Sequence, residues 1–193
     1  MPKSNAQNLE RGQATRDRLL AAAAALIGEA GWGAVSTRMA ADRAGVAPGV
    51  VHYHFGSVTD LLVTASTTLA RDLVESVGAG LEAQLDLGAG IDWLAAQLAA
   101  HPPDDPASRL VAEMYLASSR TPELREQLAL LLDGFRARAA AWLAARGYAG
   151  DPAPAAALLA AVVDGVMLHR GLDPGLDPRG LTAPLRAMVG AQP

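Results

Sequence analysis

The chain has no cysteine, which excludes disulfides, zinc fingers and thiol nucleophiles. Aromatic residues are only 4% of its 193 residues, while alanine is abundant. That composition favours closely packed helices over sheets. No stretch alternates polar and apolar residues as a half-buried strand does, and no segment repeats. No basic-then-apolar leader opens the chain, and the run Leu19–Ile27 is too short to cross a bilayer. A cytoplasmic protein without a membrane partner is expected. No Ser-His-Asp set, glycine-rich phosphate loop or paired-carboxylate spacing stands out, so neither catalysis nor a cofactor is expected.

Hydrophobic residues make up 51% of the chain, enough for a substantial core. The formal net charge is -4, which argues against a generic polyanion binder. Its distribution is uneven. Residues 1–56 carry six basic groups, Lys3, Arg11, Arg16, Arg18, Arg38 and Arg43, against four acidic ones, and the remainder is acidic. A mildly basic head on an acidic body suits a nucleic-acid reader whose body faces elsewhere.

The most informative stretch is Ser36–Phe55, STRMAADRAGVAPGVVHYHF. Ser36 suits the N-cap of a short helix, and Gly45 suits the left-handed residue that ends it. Pro48 suits the first turn of a second helix, which runs to about His54. Two short helices about a glycine corner form a helix-turn-helix, whose second helix lies in the major groove of DNA. Around it, an aperiodic polar arm is expected over 1–14. A first helix is expected from about Thr15 to Ala30, with Leu19, Ala23, Leu26, Ile27 and Ala30 on one face. A fourth helix follows from about Thr59 to Val77. Frequent glycines suggest a bend or loop over 78–90. Further helices are expected over 91–100, 107–119, 122–146, 155–170 and 181–189. The fold class is all-α.

The segment Leu19–Leu62 resembles the DNA-binding head of the tetracycline-repressor (TetR) family. The likeness lies in LLAAAAALIGEAGW, VSTRMAADRAGV and PGVVHYHFGSVTDLL, with Tyr53-His54-Phe55 its most specific part. The resemblance implies a three-helix head over 15–58 and a helical effector-binding and dimerisation domain over 59–193. It also implies a homodimer paired through the C-terminal helices, an operator duplex as partner, and release by a small-molecule effector. A dimeric small-molecule binder with weak or lost DNA binding is the other reading.

Candidate DNA contacts follow from chemistry and position. Ser36, Thr37 and Arg38 open the first motif helix, where free N–H groups, the helix dipole and a guanidinium favour a phosphate. Capping alone, with a solvated arginine, is the plainer alternative. Pro48, Gly49, Val50 and His52 can face base edges, Gly49 by close backbone approach and Val50 by a methyl surface. Tyr53 and His54 match the family's phosphate-contacting aromatic and histidine, against packing for the phenol and capping for the imidazole. His52 and His54, two apart on a helix, point away from each other, so no metal site is expected. Three positions depart from the family: Ala47 lacks the usual capping hydroxyl, Ala40 replaces a larger aliphatic, and Val58 replaces a lysine that touches phosphate. In the body, Trp93, Met114, Tyr115, Phe135, Trp142 and Met167 are the large side chains available to line an effector pocket, although such residues are commonly ordinary core.

Overall fold

The computed structural model describes residues 3–102 and 105–190. Among them there is no strand. The helices are α1 (Lys3–Ala30), α2 (Thr37–Ala44), α3 (Pro48–His54), α4 (Val58–Glu82), α5 (Leu87–Ala100), α6 (Pro106–Ser118), α7 (Pro122–Ala145), α8 (Pro152–Arg170) and α9 (Thr182–Met188). Short 3-10 turns occupy Trp32–Ala34 and Pro178–Leu181. The chain divides into two compact units. One takes the chain up to Leu69 together with Arg109–Arg125, and the other takes Ala70–Ser108 and the chain from Glu126 onward. The first half of α4 and most of α6 therefore group with the helix-turn-helix, whereas the sequence suggests a functional division between 58 and 59.

In the first unit, α1 buries Leu19, Ala23, Leu26 and Ile27 as its spacing predicts, while Ala30 stays exposed. The arm expected over 1–14 is corrected over its described part, where α1 is helical from Lys3, while residues 1 and 2 lie outside the described residues. Thr15, expected near the start, lies inside the helix, and its hydroxyl accepts from Arg18. Extending an existing helix adds one hydrogen bond per residue fixed, so good helix formers such as Ala14, Gln13 and Arg11 continue it without a buried face. At its other end Gly31 adopts φ 85°, and the Trp32 N–H donates to the Glu113 carboxylate at 2.8 Å. Glu113 on α6 thereby satisfies the first backbone donor of the 3-10 turn Trp32–Ala34, which has no partner within the turn.

The second unit corrects the loop expected over 78–90. Gly78 and Gly80 lie inside α4, and Gly88 and Gly90 lie inside α5, with only a short turn between. These glycines are seats. A Cβ at Gly80 would fall 2.0 Å from Trp93 Cζ2, one at Gly90 2.3 Å from Trp142 Cζ2, and one at Gly78 2.6 Å from Arg138 Cζ. Helix propensity is given up so that two indoles and a guanidinium can approach the backbone. The core around them gathers Leu81, Leu87, Ile91, Leu94, Leu143 and Leu159 about Trp142. Arg138 fixes α7 to α4 by donating to Glu82 twice and to Glu75. Helix α8, apolar nearly all round, buries Ala156, Leu159, Ala160 and Val166. Burial from several sides does not occur within one chain, where Leu158 is 50% and Leu168 42% exposed.

Candidate nucleic-acid interface

The motif is held by local chemistry at each joint. Ser36 is extended, and its hydroxyl accepts the Met39 N–H at 3.3 Å, capping α2. Gly45 adopts φ 67° and ψ 41°. Its N–H donates to Asp42 O at 3.2 Å, and that of Val46 donates to Ala41 O at 3.0 Å. This pair of crossed bonds closes the helix in a tight left-handed corner. Pro48 then opens α3, preceded by Ala47, which makes no side-chain cap.

Only one side chain of α3 is fully interior. Val51 is 0% exposed and anchors the helix, while Tyr53 is 84% exposed. Pro48, Gly49 and His52 are exposed too, and Val50 and His54 are half-buried. On α2, Ser36 and Arg38 are exposed and Thr37 half-buried. The two short helices thus bring all nine residues singled out from the sequence into one motif. The packing alternative for Tyr53 does not hold, because its ring projects outward. It meets His54 edge-on at 5.0 Å between centroids. Val58, at the start of α4, is half-buried and brings no charge.

The charges of the head are less available than their number suggests. Arg43 gives both terminal nitrogens to Glu29, at 2.9 and 2.6 Å. The hydrogen-bonded guanidinium holds the Glu29 carboxyl below its ordinary range, and the carboxylate raises Arg43. Arg38 lies 4.0 Å from Asp42, with both side chains largely in solvent, so the pairing is weak. Arg16 rests over the Phe55 ring, its Cζ 4.8 Å from the centroid. Neither the Arg43–Glu29 pair nor the Arg16–Phe55 stack has a signature in sequence spacing. Among the described residues no group of three or more histidines and acids lies close enough to hold a metal.

The effector candidates are shared between the two units. Met114, buried, and Tyr115, partly exposed, belong to the first unit. Trp93, Phe135, Trp142 and Met167 belong to the second, with Phe135 and Trp142 buried and Trp93 and Met167 half-buried. Trp142 and Trp93 pack on glycines as core residues do. The Trp142 indole N–H is buried and meets no acceptor among the described residues.

Known proteins resemble the chain over both parts. Residues 19–65 match the family described as "Bacterial regulatory proteins, tetR family". Residues 86–191 match "Tetracyclin repressor-like, C-terminal domain", which is more than half of the chain. Helix α8, long and apolar enough to pass for a membrane span, lies inside that second match. No curated protein matches the chain. Among solved structures, a proposed transcriptional regulator of Streptomyces coelicolor A3(2) is 30% identical, with 91% of this chain and 98% of that chain covered at a TM-score of 0.72. A transcriptional regulator from Rhodococcus sp. Rha1 is also 30% identical, with 91% and 94% covered at a TM-score of 0.75. The multidrug binding protein EbrR, solved with imidazole, is 30% identical, with 88% and 93% covered at 0.66.

Proposed function

Since the chain belongs to the tetracycline-repressor family of transcriptional regulators, we propose that it is a cytoplasmic homodimeric repressor. It holds a near-palindromic operator and releases it when a small hydrophobic effector binds. The observation that carries this reading is α3, anchored by Val51 alone and turned outward at Pro48, Gly49, His52 and Tyr53. In this reading residues 15–58 read DNA, and 59–193 bind the effector and dimerise. Ser36, Thr37, Arg38, Tyr53 and His54 meet phosphates. Pro48, Gly49, Val50 and His52 meet base edges. Two α3 helices would enter successive major grooves about 34–36 Å apart.

Support for the dimer comes from the apolar surface that one chain leaves open on α8 at Leu158 and Leu168. Support for a small effector comes from EbrR, a multidrug binding protein seen with imidazole. Trp93, Met114, Tyr115, Phe135 and Met167 are the residues we assign to effector contact. Linkage then requires that DNA weaken effector binding by the factor by which effector weakens DNA binding. The test is selection of duplexes from a random pool, followed by titration of the enriched sequence. A discrete palindrome bound by a dimer supports the proposal, and a monomer or uniform weak capture rejects it.

A second reading, a dimeric ligand-binding protein with little hold on DNA, draws on two observations. Arg43 is neutralised by Glu29, and Val58 is apolar at the head of α4. Uniform weak capture in the same selection would favour it.

A further inference from the structure

Six cations stand in the first 56 residues, yet the fold treats them differently. Arg43 is committed to Glu29, Arg38 stands beside Asp42, and Arg18 donates to the Thr15 hydroxyl. Arg16 has no hydrogen bond or carboxylate partner among the described residues; its one contact of note is the ring of Phe55. That ring is 5% exposed, and Phe55 closes α3 through its N–H to Val51 O at 2.8 Å. Phe55 is therefore buried beside the end of α3, with its backbone tied to the helix. From it the aromatic series continues outward, 6.5 Å to the His54 ring and 5.0 Å further to Tyr53.

We propose that Arg16 is a DNA-phosphate clamp, held by Phe55 at the C-terminal end of α3 next to His54 and Tyr53. A guanidinium lying over a ring keeps its edge N–H groups pointing away from it, and its planar fork matches two phosphate oxygens. The ring limits the freedom that a long side chain would otherwise lose on binding. No intramolecular ion pair has to break first, in contrast to Arg43. The contact reads no bases, so it adds affinity equally for any duplex. This inference rests on the reading of α3 as the DNA-facing helix.

The test uses the whole protein with the selected operator and with an unrelated duplex of equal length, each labelled and titrated across a range of salt. Arg16→Met removes the charge but keeps an apolar stem over Phe55. It should flatten the plot of log affinity against log salt by about 0.9 per head, or about 1.8 for a dimer using both. The weakening should be alike on the two duplexes. Arg16→Lys should keep the slope yet bind more weakly, because the fork is lost. It also serves if Arg16→Met melts early. An unchanged slope in Arg16→Met, or wild-type affinity in Arg16→Lys, overturns the clamp while leaving the function intact. If the unmodified protein binds neither duplex, the reading of α3 falls as well.

Discussion

Replacing Gly90 by alanine sets two opposed effects against each other at a position whose geometry is known. In an open helix the change gains about 1 kcal/mol of helix propensity. At Gly90, however, the new methyl would stand 2.3 Å from Trp142 Cζ2, 2.4 Å from Cη2 and 3.2 Å from Leu81 Cδ1. Carbon atoms settle about 3.5–4.0 Å apart, so the indole must retreat by more than about 1 Å. It has nowhere to go, being 3% exposed and packed with Leu81, Ile91, Leu143 and Leu159. Overpacking of this severity belongs near the upper end of the usual range, about 3 kcal/mol, leaving a net loss of about 2 kcal/mol. For a chain of this size the thermal midpoint should fall by about 4–8 °C. The assay is thermal unfolding at one fixed protein concentration, since the proposed dimerisation would make Tm depend on it. Gly134→Ala, where a Cβ meets nothing within 4 Å, is the control and should raise the midpoint. Trp142→Phe removes the clashing atoms and also the indole N–H that lacks an acceptor. In that background Gly90→Ala should lose most of its cost, giving a coupling above about 1 kcal/mol. A Gly90→Ala protein as stable as the wild type, or a coupling near zero, refutes the reasoning. Gly80→Ala should cost less despite its closer approach to Trp93, because that half-buried ring can swing into solvent.

Gly49→Ala adds a methyl to an exposed face with nothing within 4 Å, so melting should be unchanged or higher while operator affinity falls; equal affinity would show that no DNA backbone or base approaches there. Ala47→Ser supplies the missing cap of α3 and should add about 1 kcal/mol, read as a rise in thermal midpoint. The Glu29 carboxyl is lowered by Arg43, so its contribution is present above the ordinary carboxylate range and is lost as pH falls through the depressed value. Melting of wild type and Glu29→Gln should therefore differ at neutral pH and converge in acid; a gap that persists in acid would mean the pair is not its source. Arg43→Met should leave the salt dependence of DNA binding nearly unaltered, because that charge is already paired.

The helix-turn-helix was legible because its punctuation is local. Ser36, Gly45 and Pro48 each do their work within a few residues, and α2 and α3 begin and end where those residues predict. The glycines at 78, 80, 88 and 90 were misread for the converse reason. What requires glycine inside these helices at 80 and 90 is an indole arriving from another helix, and no local pattern announces it. The start of α1 has no apolar periodicity to distinguish it from coil, and Gln7, Leu9, Glu10 and Arg11 are all exposed. Arg43 and Glu29 are fourteen residues apart, so a charge count could not reveal that they cancel. The aromatic and methionine residues proposed for the effector stand out in the sequence by size alone. Size does not tell a residue seated on a glycine from one facing a ligand, and it did not anticipate their division between two units.

Of the seven residues in α3, only Val51 is wholly committed to the interior. The exposed positions Gly49 and His52 carry little of the packing, unlike the half-buried Val50 and His54. Gly49 and His52 can be exchanged for side chains of different hydrogen-bonding character with little risk of unfolding the motif. If α3 reads bases as proposed, a duplicated copy could acquire a new target sequence in a few substitutions at these exposed positions. The same economy makes the helix a practical place to retarget the regulator by design.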